Sequence, residues 1–324
     1  MMTVKEGNRF LSHAGVQYPI ICGAMYPCSN PELVAAVSES GGLGIVQPVS
    51  LVYAHAYDFR KGLQYIRKLT NKPIGLNLLV EKSAKRYEDR LKIWLDIALE
   101  EGVRFFITAL GNPSWVIEKV RPLGGIVYHD VTNAKWAAKA VEAGVDGLIC
   151  VNNRAGGHLG SESPEALLND LKKYGLPLIC AGGVGSKEHY AAMIALGYDG
   201  VQLGTRFIAS KECTAHEDYK NAIIRAEEVD IVETVKISGV PVSIINTDYV
   251  KKMGLEASHV VTWMLHHPKL KHYMRIFYTV RSVFLLKKSN SKGSSYKDFY
   301  QAGKSVDGIN SVLGAKEIID SFVS

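Results

Sequence analysis

The chain has 324 residues, 47% of them hydrophobic, and its 38 basic and 32 acidic side chains leave a net charge of +6. This is a soluble, globular composition with enough apolar material for one barrel or two domains. It excludes a membrane span, because the most apolar stretch, IFYTVRSVFLL at 276–286, carries Arg281 at its centre.

The N-terminal MMTVKEGNRF lacks an apolar signal core, which sets a cytoplasmic expectation. From residue 17 to 210 one unit recurs: a short β-branched run, a polar loop, an amphipathic helix, then a glycine. Strands are expected at 18–22, 43–46, 74–78, 103–107, 125–128, 145–150, 177–181 and 199–202. Between them Asn30-Pro31, Asn112-Pro113 and Ser163-Pro164 read as N-caps followed by proline, and Thr132 and Ser186 as caps without it. Gly41, Gly102, Gly144, Gly175 and Gly197 read as left-handed helix stops. Leu91, Leu95 and Ala98 mark one buried helix face, and Trp136, Ala140 and Ala143 another.

The joints EEGVRFFI, EAGVDGLI and ALGYDGVQ repeat the same helix stop and strand start. Eight such strands favour a (β/α)8 TIM barrel, whose ligand groups gather on the loops after the strand C-termini. A doubly wound sheet would carry an early GxGxxG, whereas GGLG at 41–44 precedes a strand and opens no such fingerprint. The expected division is a barrel over 1–210, a smaller, mainly helical lobe over 211–298 on the substrate side, and a segment over 299–324 that returns to the barrel. That last segment reads as helical at both ends around a glycine-bearing bend. Between 260 and 304 nine basic residues face one acidic residue, Asp298, either an ordinary solvated surface or a field that attracts an anionic ligand.

Three glycine clusters follow strands: AGGHLG at 155–160, ICAGGV at 179–184 and VQLGTRF at 201–207. The last two stand after expected strands 7 and 8, the usual phosphate position of the barrel. Glycine there frees backbone N–H groups for phosphate oxygens, and Thr205 adds a hydroxyl. A merely tight rim would also need glycines. His158 stands in the first cluster with little local core to fill. Its neutral imidazole can take a proton from carbon or donate to an oxyanion near pH 7, or it can simply order its loop.

Gly23, Ala24 and Met25 end the first strand with small and soft groups on which a flat ring can lie. Asn77 interrupts the apolar run PIGLNLLV, so its amide is paired within the rim or aimed at a ligand. His129 ends strand 5 beside Asp130 and is placed toward the same cavity. Tyr296, Tyr300 and Lys304 share a face if their segment is helical, giving an anion site or a docking stripe. The five cysteines show no CxxC spacing and no activating pattern, and His266, His267 and His272 lie among lysines; no metal site is expected.

These residues together resemble the nitronate monooxygenase, or 2-nitropropane dioxygenase-like, family and its relatives the flavin-dependent enoyl-acyl carrier protein reductases. The resemblance runs through PIICGAM, SESGGLGIV, NLLV, EAGVDGLICVNNRAGGHLG, ICAGGV, GYDGVQLGTRFIASKE and QAGKSVDGINSV. It implies non-covalent FMN, with the phosphate at Gly182, Gly183, Gly204 and Thr205, the ring by Gly23, Ala24 and Met25, a polar contact from Asn77, and Ala155 and Gly156 at the cofactor. It implies His158 as the active-site histidine and, by spacing, Tyr296, Tyr300 and Lys304 on the substrate side. VNNRAGGH departs from the reductases' G-x-E-A-G-G-H, which weighs against that activity. The expected function is oxidation of a small anionic substrate, an alkyl nitronate, with O₂, with nitroalkanes as a further candidate substrate. The alternatives are an enoyl-thioester reductase using NAD(P)H with an acyl carrier protein partner, and a non-catalytic FMN-binding protein. Nucleic acid is not an expected partner, and a homodimer is an open assembly.

Overall fold

Eight parallel strands close on one another in a computed structural model that describes residues 7–81, 85–236, 240–256, 267, 271–292 and 299–324. They are β1 (Ile20–Cys22), β2 (Leu43–Val46), β3 (Ile74–Leu79), β4 (Phe105–Ala109), β5 (Ile126–Val131), β6 (Gly147–Val151), β8 (Leu178–Ala181) and β9 (Gly200–Leu203). The order is β1-β2-β3-β4-β5-β6-β8-β9, and β9 returns to pair with β1 through Ile21↔Gln202. These are the eight expected strands, with small shifts at their ends. The short β7 (Gly157–His158) stands outside the barrel.

Period-two alternation divides each strand between two cores. Ile21, Ile45, Phe105, Ile107, Tyr128, Ile149 and Ile179 fill the barrel interior. Their neighbours Cys22, Val46, Leu76, Phe106, Val127, Leu148 and Cys180 face the surrounding helices. The bottom of the barrel is plugged by α1 (Arg9–Ala14), capped by Asn8, whose Phe10 is fully buried edge-on to Phe105 at 6.0 Å. Burying such a ring is worth roughly 3 kcal/mol.

The outer layer is α2 (Pro31–Glu39), α3 (Phe59–Leu69), α4 (Lys85–Glu100), α5 (Ser114–Val120), α6 (Ala134–Glu142), α7 (Pro164–Leu171) and α8 (Lys187–Leu196). Ser163 and Ser186 cap α7 and α8 as expected, and all five anticipated stop glycines have positive φ. Some expectations need correction. Asn133, not Thr132, caps α6 by accepting from Trp136 N–H, since its carboxamide sits one residue nearer the first turn. Trp136 is therefore rotated outward beneath Lys139, and Ala137 with Ala140 makes the buried face. Asn30 stands at the start of α2 but spends its side chain on Glu32 and the Glu212 carbonyl. Asn112 accepts from the Ser114 N–H, and α5 starts at Ser114, after the proline.

After β9 come α9 (Thr205–Ile208) and α10 (Glu217–Arg225), then β10 (Ile231–Thr234), β11 (Val242–Ile245), α11 (Asp248–Met253) and α12 (Lys271–Lys292). The smaller lobe is helical, as anticipated, and also carries a hairpin that the broken repeat did not reveal. Antiparallel β10 and β11 form a three-stranded sheet with β7, through Val242↔His158. Val242, Ile244, Val250, Leu285 and Phe299 form its core. The C-terminal segment runs extended through Gln301, which bridges Ile244, and makes one 3-10 turn at Lys304–Gly308. It ends in α13 (Ala315–Val323), which packs between α8 and α2, where the barrel's eighth helix belongs. Phe322 stacks there on Tyr190 at 6.0 Å. No helix among the described residues is long and apolar enough to cross a membrane.

Candidate active site at the barrel mouth

Barrel closure brings the first and last strand ends side by side, and with them residues far apart in the chain. Gly23 N–H donates to the Leu203 carbonyl at 3.0 Å, and a Cβ on Gly204 would lie 3.5 Å from Met25 Sδ. Gly23, Ala24 and Met25 are thus neighbours of Gly204 and Thr205. On the next strand Gly182 and Gly183 have φ of 119° and 83°, a conformation that favours glycine. A Cβ on Gly182 would fall 2.6 Å from Ala155 N, so the first glycine loop lies against the second. Thr205 Oγ1 accepts the Gly303 N–H at 3.0 Å, which leaves the hydroxyl hydrogen to donate elsewhere.

Gly156 also makes room for the C-terminal segment. Any Cβ there would lie 2.6 Å from Gly303 N, and one on Gly303 the same distance from Arg154 O. The small residue lets the returning C-terminal segment press on the loop after β6. Arg206 of GTRF is likewise structural: it is buried, its guanidinium donates to the Ala209 and Ser311 carbonyls, and burial lowers its pKa to about 10.

Asn77 is buried, and alternation with Leu76 and Leu78, which face the helices, turns it into the barrel mouth. The same parity overturns the expectation for His129. It points outward, where its Nδ1 lies 2.8 Å from Thr108 Oγ1, and burial pushes its pKa down to about 4. Asp130, one residue on, takes the inward place. Its Oδ1 is enclosed with no hydrogen-bond partner among the described residues, and desolvation raises the carboxyl to about 7. Gln202 also points inward from β9, against Gly23, and its Oε1 is another enclosed oxygen without a partner among the described residues. Neither was singled out from the sequence. Polar residues at inward parity on strand ends are the signal that finds both.

His158 hangs from β7 above the mouth. The residue is exposed, yet its ring is surrounded closely enough that desolvation lowers its pKa, which describes a cleft wall. Among the described residues it accepts or donates no side-chain hydrogen bond.

Tyr300 and Lys304 do not share the helical face expected of them with Tyr296. Tyr296 lies outside the described residues. Tyr300 is buried in the extended segment, stacked on Tyr219 at 4.6 Å with planes 12° apart. The local backbone is pinned instead by the Ile245 N–H, which donates to the Tyr300 carbonyl. Lys304 starts the 3-10 turn and places its Nζ 3.4 Å from Glu228 Oε1. Glu228 also holds both terminal nitrogens of Arg154.

A closed eight-stranded β/α barrel whose mouth gathers glycine turns, inward oxygens without partners among the described residues and an exposed histidine has the architecture of a ligand-binding barrel enzyme. The nitronate monooxygenase family model matches residues 8–324, and the chain belongs to that family, within a flavin-dependent superfamily that includes FabK-like enoyl reductases. Among characterised relatives it is 26% identical to a (3aS,4S,5R,7aS)-5-hydroxy-7a-methyl-1-oxo-octahydro-1H-indene-4-carboxyl-CoA dehydrogenase of Rhodococcus jostii, over 96% of this chain and 93% of that one. It is 29% identical to a probable nitronate monooxygenase of Staphylococcus saprophyticus, over 78% of this chain and 82% of the relative. The structure of FabK from Thermotoga maritima superposes with a TM-score of 0.78 at 28% identity, covering 97% of this chain and 94% of the other.

Proposed function

We propose that the protein is an FMN-dependent nitronate monooxygenase, oxidising alkyl nitronates, and nitroalkanes after proton removal, with O₂. The observation that carries this reading is His158, a histidine on the cleft wall whose environment disfavours its cation and which has no charged partner among the described residues. A neutral imidazole there is a base for a carbon acid, and it is unsuited to attract an anion by charge.

The residues of the mouth fit a flavin nucleotide. Gly182 and Gly183 form a turn where side chains would collide, and Thr205 keeps a hydroxyl hydrogen for a phosphate oxygen. Gly23, Ala24 and Met25 would lie along the ring, while Asn77, Gln202 and Asp130 offer inward polar atoms for its edge. Asp130 with a carboxyl near 7 is protonated in part at neutral pH and can donate as well as accept. Bound FMN would supply the electron acceptor and the passage of electrons to O₂. His158 would remove or hold the proton at the substrate carbon, and the three-stranded lobe sheet would fix its position. Lys304 pairs with Glu228 and is given no substrate role in this reading.

A second reading, oxidoreduction next to a thioester carbonyl, has one observation in its favour. Helix α12 carries six Lys and Arg residues and no Asp or Glu, a field suited to an acidic carrier or a nucleotide-bearing thioester. Anaerobic rapid mixing separates the two. Flavin bleaching by propyl-2-nitronate and not by NAD(P)H, with aerobic nitronate consumption, is the expected result; fast bleaching by NAD(P)H and turnover of a 2-enoyl thioester would overturn it. Colourless protein that fails to bind added FMN would remove both readings.

A further inference from the structure

Resting on the FMN reading above, we propose that Arg154 is a ligand of the cofactor phosphate, held ready for it by Glu228. The position follows from the glycine turn after β8. A Cβ built on Gly183 would lie 2.7 Å from Arg154 Nε and 2.9 Å from its Cδ, so the arginine side chain lies directly on that turn. Glu228 takes Nη1 at 3.0 Å and also Nη2, which uses the fork end of the guanidinium. The Nε–H is left over, beside Gly183, and among the described residues it donates to no protein group.

The loop is built to hold this pose. Arg154 N–H donates to Asn152 Oδ1 at 2.8 Å, and its carbonyl accepts the Lys304 N–H at 3.0 Å. Asn152 is fully buried, and its Nδ2 donates to the Gly182 carbonyl at 3.1 Å, so one side chain ties the arginine backbone to the glycine turn. Electrostatics points the same way. Glu228 is shared by Arg154 and by Lys304, at 3.4 Å, so two cations face one carboxylate beside the turn. Both hold the Glu228 carboxyl below its ordinary value, and Glu165 senses the same arginine. A dianionic phosphate at Gly183 and Thr205 would meet the Arg154 guanidinium, and a charge-assisted N–H bond is the strong kind.

The test compares FMN with riboflavin, which differs only in the phosphate, by flavin fluorescence titration of the full chain stripped of cofactor. Arg154→Gln is expected to weaken FMN binding by about 10- to 100-fold while riboflavin changes little, from the usual strength of bonds to charged groups. Arg154→Lys should fall between, because it keeps charge without the Nε–H. Glu228→Gln loses the two-oxygen carboxylate that holds the guanidinium, so it should weaken FMN binding by less than Arg154→Gln does and leave riboflavin unchanged. Equal losses for FMN and riboflavin in Arg154→Gln, or unchanged FMN affinity, would overturn the proposal and leave the cofactor assignment standing. Wild-type protein that binds riboflavin as tightly as FMN would also overturn it. Failure of the wild-type chain to bind either would remove the cofactor reading itself, and this proposal with it.

Discussion

Asp130→Asn tests the inward parity of β5 through the pH dependence of stability. The carboxyl titrates at about 7 in the folded protein and at 3.8 ordinarily, because its Oδ1 is enclosed without a partner. Above 3.8 the unfolded chain has lost this proton and the folded chain has not. The wild type therefore loses stability as pH rises from about 4 to 7 and gains no further penalty beyond. At 1.4 kcal/mol per pH unit the full gap is roughly 4 kcal/mol, an upper limit because water at the mouth screens a half-buried residue. Asparagine carries no such charge, and whatever its amide costs in that enclosure is the same at every pH. The variant is thus expected to gain on the wild type between pH 4 and 7.5 by about 2–4 kcal/mol, or some 3–6 °C in Tm for a chain of this size. Thermal and urea unfolding of the cofactor-free proteins across that range measure it. Parallel stability curves would refute the argument and place Asp130 in a hydrated or hydrogen-bonded environment.

His158→Asn should keep the fold and the flavin, lower turnover of neutral nitroalkane by about 10²-fold or more, and spare preformed nitronate. Because the imidazole is held below its usual pKa, the wild-type acid limb on nitroalkane should have its midpoint under 6.5 and vanish in the variant; steady-state pH profiles on both substrate forms decide this. Gly156→Ala should cost about 1–3 kcal/mol in urea unfolding, since its Cβ would sit 2.6 Å from Gly303 N between two backbones. An unchanged unfolding midpoint would show that the C-terminal segment gives way there.

Much of the barrel was legible in the chain because its determinants are local. A strand buried on one face by a helix and on the other by the barrel interior reads as a short β-branched run, and a helix that must stop before the next strand ends in glycine. Gly182-Gly183 and Gly204-Thr205 could be placed on one rim because parallel strands of a barrel all end at the same face. Orientation was harder. His129 and Asp130 are adjacent and both polar, and only the register of β5 against β4 and β6 sets which one looks inward. The chemically familiar imidazole drew attention, while the carboxyl is the group that faces the barrel mouth.

Tertiary structure alone decided the rest, for reasons of sequence distance. The hairpin of β10 and β11 exists as a sheet because β7 supplies its third strand some 80 residues earlier, and this pairing is what positions His158. Tyr300 looked like one member of a helical stripe, but the edge of that sheet draws its backbone into an extended path and buries its ring on Tyr219. Arg154 read as a departure from a motif. Its partner Glu228 and the returning Lys304 come from segments 74 and 150 residues away, and no local pattern records an ion pair that forms only when the barrel, the lobe and the C-terminal segment meet.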